Sequence, residues 1–262
     1  MTSARDTHAA PLESVLAQDR TVVLGGLAGV SGLAWAYSIS EATGMHWTET
    51  HLPHAGAWDT RVFAVVFIMW SVMMVAMMVP SASPVVLAYA ALHRKQDTGQ
   101  RPLGAVTAFV VGYVVVWTMF SAAATVAQWS LHRAALISAV GASTSAPFGG
   151  GLLVVAGVFQ WTSLKSACLT HCRSPFLFFI TSWREGTAGA FKMGLEHGVF
   201  CLGCCWALMG LMFFAGVMNI YWLAGLSILV LVEKAVPSGV RLGKLAGAVM
   251  IGWGIYVVSH GV

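Results

Sequence analysis

Seven apolar runs, most of them close to 20 residues long, constrain this chain more than any other feature of its sequence. A bilayer core about 30 Å thick needs roughly 20 apolar residues in a helix. Only 9% of the residues are charged, against about 25% in soluble domains. The sequence therefore predicts an all-α, polytopic transmembrane helix bundle of about seven spans, whose main partner is the lipid bilayer. The predicted spans are residues 21–40, 61–79 with a continuation to about 93, 103–126, 148–163, 194–217, 220–236 and 245–260.

The distribution of Lys and Arg predicts the orientation of the bundle. With the N-terminus in the cytoplasm, all but two of the 14 basic residues lie on the cytoplasmic side, the exceptions being Arg61 and Arg133. Such asymmetry is typical of cytoplasmic loops, so we expect the N-terminus inside and the C-terminus outside a bacterial inner membrane. The net charge of +4 then reflects topology, and no nucleic-acid partner is expected.

The domain organisation is simple. Residues 1–20 are predicted to form a polar cytoplasmic tail, and residues 21–262 a single transmembrane domain without internal repeats. The apolar piece between residues 176 and 180 is too short to span a bilayer. The stretch 183–192 is expected to lie at the membrane surface as an amphipathic helix.

All of the cysteines fall in two short stretches of apolar sequence. On a helix, residues three and four apart share a face, so His197 joins the second cluster on one stripe. Four thiolates, or three with His197 or His171, satisfy a tetrahedral soft metal such as zinc, and two or three satisfy Cu(I). The predicted metal ligands in these stretches are Cys168, Cys172, Cys201, Cys204, Cys205 and His197.

Two other interpretations of the cysteines stay open at this point. Free cysteine is a small hydrophobic residue that often only fills a core. A disulfide framework is disfavoured because the cysteines are predicted on the cytoplasmic side, where thiols are kept reduced. An oxidoreductase that serves secreted proteins would need cysteines in the outer loops, which have none.

The second predicted span carries a concentration of methionines. Thioethers are soft ligands that select Cu(I), so Met73 and Met77 are predicted to pass cuprous ion along the helix; the alternative is that methionine serves as a flexible core filler. Pro80 and Pro84 are expected to end or kink this helix and to free backbone carbonyls that need partners. The full set of methionines is Met69, Met73, Met74, Met77 and Met78.

Ionisable residues near the predicted membrane surfaces offer further candidates. His46, His51 and His54 of the long outer loop are either metal-gathering ligands or ordinary polar loop residues. Glu233 and Lys234 are either interfacial anchors, with Lys234 snorkelling, or functional groups, with Glu233 orienting a ligand or carrying a proton.

These motifs resemble a bacterial family of predicted metal-binding integral membrane proteins, a domain-of-unknown-function family. The resemblance covers most of the chain. It implies metal binding in the membrane and brings no enzymatic activity with it. The matching residues are Met69-Trp70, Met73-Met74, Met77-Met78 and Pro80; Gln160 to Lys165, Cys168-Leu169, Cys172-Arg173 and Pro175; Gly198, Cys201 to Trp206 and Leu208-Met209; Gly216 to Asn219; and Glu233-Lys234.

The sequence thus predicts a membrane protein that handles or transports a soft metal ion, with copper(I) as the first choice because thiols and thioethers occur together. A haem- or metal-bearing redox subunit, with His197 or a methionine as the axial ligand, is the main alternative. A structural or assembly subunit, in a homo-oligomer or a larger membrane complex, is the third. A non-enzymatic role is favoured.

Overall fold

The computed structural model describes residues 9–43, 58–96 and 103–261, and every extended element within them is helical. The only β-type pairing there consists of two isolated bridges, Ile137 with Ser143 and Ala142 with Ala215. The predicted all-α fold is confirmed. The helices are α1 (Ala9–Thr43), α2 (Thr60–Gln96), α3 (Leu103–Arg133), α4 (Ala146–Phe159), α5 (Ser163–Arg173), α6 (Pro175–Ser182), α7 (Gly186–Gly210), α8 (Met212–Ala215), α9 (Ile220–Ala235) and α10 (Gly239–His260).

Several helices have the length and apolarity to cross a membrane. Five pass by these criteria, within α1, α2, α3, α7 with α8, and α10. The pair α4 and α5 would add a sixth as a broken span, because the two helices are bent by 63° at a short break. Helix α9 has 16 residues, fewer than the roughly 20 that a typical span needs. Multiple spans are therefore supported, while the number seven and the orientation of the termini stay predictions.

The boundaries predicted around residue 190 are wrong. The predicted span at residues 194–217 begins eight residues earlier, because α7 starts at Gly186. The stretch 183–192 is consequently no separate surface helix. This first part of α7 packs closely on α3: a β-carbon at Gly112 would overlap the carbonyl oxygen of Phe191, and one at Gly194 would overlap that of Phe109. Close backbone approach of this kind needs glycine, and it keeps the extra turns helical.

The first helix also starts earlier than expected. Helix α1 begins at Ala9, within the tail that was predicted from its polar composition. The predicted span 245–260 likewise begins earlier, since α10 starts at Gly239.

Helix α2 runs without interruption through both prolines. A proline removes the backbone hydrogen bond to the carbonyl four residues earlier, which leaves the carbonyls of Ala76 and Pro80 without their usual donors. The indole Nε1 of Trp35 in α1 donates to Ala76 at 3.0 Å, and the Ser83 hydroxyl donates to Pro80 at 2.7 Å. Side chains thus replace both lost bonds, and of the two predicted outcomes, an end or a kink, the structure excludes the end of the helix.

The connections at one end of the bundle are tied together. The backbone amide of Ser143, in the segment between α3 and α4, donates to the carbonyl of Phe214, and that of Val217 donates to Val140. We call this the loop end. Helices α2, α4 and α9 start there, whereas α3, α7 and α10 run back towards it, so α2 and α7 are antiparallel.

Candidate metal centre

Cys201 lies at the centre of a buried polar group in the middle of the bundle. It is completely buried, and its Sγ lies 2.9 Å from the Nζ of Lys234 and 3.0 Å from the hydroxyl of Tyr113. The same Lys234 ammonium donates to the Ser81 hydroxyl of α2 at 3.0 Å. The Tyr113 hydroxyl also donates to the carbonyl of Met78 at 3.1 Å. The Cys201 sulfur therefore joins α7 to α3 and α9, and α2 is connected to it through Lys234 and Tyr113.

Three other thiols surround Cys201. Cys172 of α5 interacts with the thiols of both Cys201 and Cys204. Cys204 and Cys205 donate to the backbone carbonyl of Cys201, at 3.1 and 2.9 Å. All four are buried, and all five cysteines of the chain are free thiols. The predicted convergence of the two cysteine stretches is thus present for four residues, and α5 supplies Cys172 because it is helical, as the spacing required.

Cys168 lies at the edge of this group, where it interacts with Cys204. Its side chain is partly exposed, and its Sγ lies against Gly203, where a β-carbon would come within 2.7 Å of the sulfur. The absence of a side chain at Gly203 gives this thiol its space. His171 is turned away: its ring stacks on Phe200 at 4.2 Å and its Nδ1 lies 3.0 Å from the Ala167 carbonyl.

His197 lies one helical turn from Cys201 and is 2% exposed. Its ring stacks against Phe109 and Tyr113, and Phe178 packs against it at 5.5 Å between ring centroids. Its Nδ1 has no hydrogen-bond partner. Buried polar atoms in proteins are normally paired, so an unpaired imidazole nitrogen next to the thiols is a feature that a metal ligand would explain.

The thiols are not pre-arranged as a coordination shell. Within residues 9–43, 58–96 and 103–261, no group of three or more His, Cys, Asp or Glu side chains is placed as it would be around a metal ion. Two of the thiols are instead engaged with the carbonyl of Cys201. Rotation about χ1, which has three staggered positions, would release them. The donor set matches a soft metal, while its present geometry does not enclose one.

The methionines of α2 are buried in the core. Met73 and Met77 are each 1% exposed, and Met74 and Met78 are fully buried. They lie between Trp70, whose ring contacts Phe213 of α8 at 5.4 Å, and the Ser81 contact with Lys234. The outer-loop candidates His46, His51 and His54 lie outside the described residues.

A second buried polar cluster lies next to the thiols. The Oε2 atom of Glu233 accepts from the Nζ of Lys165 at 2.7 Å, and both side chains are nearly inaccessible. Arg173 donates to the carbonyls of Glu233, Val236 and Pro237 at the end of α9, at 2.6 to 3.0 Å. Glu233 and Lys234 are thus not interfacial anchors, because both side chains are directed into the protein. Glu233 contacts Lys165, and Lys234 contacts Cys201 and Ser81.

Three residues of these clusters were not identified from the sequence. Tyr113 looks like an ordinary aromatic residue of an apolar helix, although a hydroxyl in such a run usually needs a partner. Lys165 directly follows an apolar run and has there the position of an ordinary topology signal. Ser81 was not singled out. The opposite charges of Lys165 and Glu233, each near the end of an apolar run, were the one available signal for the ion pair.

Comparison with known proteins identifies a family. The profile of the PpoB2 family, described as copper chaperone, matches residues 67–257, a region that contains all of the cysteines and the methionines of α2. No curated protein and no solved structure matches the chain. The matched region covers most of the sequence and the whole thiol group, and the chain therefore belongs to the PpoB2 copper chaperone family.

Proposed function

We propose that this protein carries Cu(I) at the thiol group of Cys172, Cys201 and Cys204, with Cys205 and His197 as further ligands. One observation carries the proposal: the ammonium of Lys234 lies against a completely buried thiol of a four-cysteine group. A Cu(I) ion held by two thiolates has a net charge of −1. Burying that charge is costly unless an opposite charge compensates for it, and Lys234 provides the compensation.

Copper is favoured over zinc for two reasons. The chain belongs to a copper chaperone family. In addition, thiols occur with buried thioethers, a combination that selects Cu(I), whereas structural zinc prefers a closed tetrahedral shell. Copper is cargo in this proposal: it is bound, carried and released to an acceptor.

Copper is proposed to reach the thiol group through the methionine stripe of α2. Met73 and Met77 are the two methionines predicted from the sequence, and Met77 is the nearer of the two to Ser81 along the chain. The ion would enter at the loop end and reach the thiols in the interior of the bundle. The asymmetry of basic residues supports a cytoplasmic N-terminus in a bacterial inner membrane. In that orientation copper moves from the outer face towards the cytoplasm.

Metal analysis of the purified, full-length protein tests this proposal. After loading with Cu(I) and removal of free metal, elemental mass spectrometry should find copper bound to the wild type. Cys201→Ser and Cys204→Ser should each reduce it to background, because they remove ligands. Cys168→Ser is the matched control, since this thiol belongs to the first cysteine stretch but lies at the partly exposed edge of the group, and it should keep wild-type copper content.

Three results would contradict the proposal. Copper content that is unchanged by both substitutions would remove the thiol group as the site. Zinc in place of copper after loading with both metals would change the cargo. A Soret absorption band in the purified protein would identify a haem-bearing redox subunit instead.

A further inference from the structure

We infer that Met74 of α2 and Met209 of α7 form a second Cu(I) site, built from thioethers, between the loop end and the thiol group. This inference rests on the proposed function, because it describes how the cargo reaches the thiols. It replaces Met73 with Met74 as the copper-facing methionine and brings in Met209, to which the sequence assigned no role.

The relative height of α2 and α7 follows from two contacts. At one level, Lys234 bonds both to the Ser81 hydroxyl and to the Cys201 sulfur, at 3.0 and 2.9 Å. At the other, nearer the loop end, the rings of Trp70 and Phe213 lie 5.4 Å apart. The two levels are separated by eleven residues along α2 and twelve along α7 and α8. At about 1.5 Å per residue, these segments are nearly equal in length, so their residues pair level by level.

This pairing brings sulfur atoms of the two helices to matching heights. Met77 lies four residues from Ser81, and Cys205 lies four residues from Cys201, about 6 Å along each axis. Met74 lies seven residues from Ser81 and Met209 eight from Cys201, about 11 and 12 Å along the axes. Thioether and thiol therefore share the nearer level, and two thioethers share the farther one.

The same contacts fix the faces of the helices. On α2, the Trp70 ring contacts Phe213 and the Ser81 hydroxyl contacts Lys234, the residue that also contacts Cys201, and a helix turns by about 100° per residue. Met74 and Met77 then lie within about 40° of the direction of Ser81, whereas Met73 lies about 80° away. The positions of Trp70, Met74, Met77 and Ser81 follow each other by four, three and four residues, which is a single stripe.

On α7 and α8, the directions of Cys201 and Phe213 mark the two edges of the sector that would face the site. Phe213 lies about 120° around the axis from Cys201, and Met209 falls between them at about 80°. Cys205 lies in the same sector. Met74 and Met209 are both fully buried, so a copper ion between them would be held away from water by soft ligands of the kind that select Cu(I).

The experiment follows the rate at which Cu(I) reaches the thiols. Full-length protein in lipid nanodiscs is mixed with the Cu(I)–acetonitrile complex, and the ultraviolet thiolate-to-copper absorption is recorded by stopped flow. Met74→Leu and Met209→Leu should each slow this signal by about tenfold, equivalent to about 1.4 kcal/mol. Leucine conserves volume in a core, so the substitutions remove the sulfur while keeping the packing. Copper content at saturation should stay at the wild-type level.

Two controls make the test specific. Met250→Leu changes a buried methionine of α10, outside the methionine stripe, and should leave the rate unchanged. Met209→Cys restores a soft ligand and should recover most of the rate. Wild-type rates in both Met74→Leu and Met209→Leu, or equal slowing in Met250→Leu, would overturn the inference. Neither outcome affects the proposed thiol site. Failure of that site would appear as an absence of bound copper from the wild-type protein after loading.

Discussion

Glu233 and Lys234 are neighbours in the chain, yet they belong to two buried clusters with opposite character. The Glu233 carboxylate faces Lys165, so a negative and a positive charge compensate each other at 2.7 Å. The Lys234 ammonium faces the Cys201 thiol and the Ser81 hydroxyl, and no buried carboxylate is bonded to it among the described residues. The first cluster is electrically complete. The second holds a positive charge beside soft donors. In the proposed complex, Cu(I) with two thiolates would carry the net charge of −1 that compensates the Lys234 ammonium.

This difference separates a structural ion pair from a binding site. The Lys165–Glu233 pair joins α5 to α9, and Arg173 adds bonds to the last carbonyls of α9. The Lys234 cluster joins α2, α3, α7 and α9 only through single hydrogen bonds to a thiol and hydroxyls. Substitutions in the first cluster should therefore change stability, and those in the second should change copper affinity.

The largest expected effect is on stability. Glu233→Gln leaves the Lys165 ammonium buried without its charge partner, and breaking a buried pair in this way costs about 3–5 kcal/mol. The free energy of unfolding, measured by denaturing-detergent titration, should fall by that amount, while copper content per folded protein should be unchanged.

The exposed pair of Arg184 and Glu196 provides the control. Its nitrogen and oxygen atoms are 2.6 Å apart, but its side chains are largely accessible, so Glu196→Gln should alter stability very little. Replacing both partners, Lys165→Met with Glu233→Leu, should recover most of the loss. If Glu233→Gln were as stable as the wild type, or if it lost copper while folded, the division into two clusters would fail.

The next effect concerns copper affinity. Lys234→Met removes the charge beside Cys201 and should weaken Cu(I) binding about 10- to 100-fold, the range found when a group that supports a metal ligand is lost. Competition with a Cu(I) chelator measures this affinity. Lys234→Arg keeps the charge and should lose less. Unchanged affinity in Lys234→Met would mean that the ammonium only stabilises the fold.

The smallest effect is expected at Tyr113. Tyr113→Phe removes the hydroxyl that contacts Cys201 and donates to the Met78 carbonyl. A hydrogen bond of this kind contributes about 1 kcal/mol, so both stability and copper affinity should fall slightly. Tyr221→Phe, at a position that is 89% exposed, serves as the control and should match the wild type in thermal unfolding and chelator competition. A loss in Tyr113→Phe as large as that in Lys234→Met would place the tyrosine among the ligands.

The two clusters also differ in how far the sequence predicts them. The thiol group follows from local rules: spacings of three and four residues place Cys201, Cys204 and His197 on one face of a helix, and α5 aligns Cys168 with Cys172 in the same way. Both α5 thiols lie against α7, Cys168 at Gly203 and Cys172 at Cys201 and Cys204, and local spacing does not decide which of them reaches Cys201.

The ion pair depends on contacts that no local pattern carries. Lys165 and Glu233 are 68 residues apart, and a lysine directly after an apolar run resembles the many that mark cytoplasmic loops. The early start of α7 has a similar origin, since Gly186 to Met193 lacks a strong apolar pattern and is held in the helix by its close contact with α3. The predicted helices were thus correct in kind, and the errors concern ends that tertiary contacts determine.

The replacement of two backbone hydrogen bonds in α2 has a mechanical consequence. Between Ala76 and Pro84, Trp35 of α1 and Ser83 of α2 itself supply the hydrogen bonds that the backbone lacks. The rigidity of α2 there therefore depends on side chains. Ser81, which contacts the ammonium beside Cys201, lies within this braced stretch. The indole of Trp35 therefore couples α1 directly to the turn that precedes Ser81.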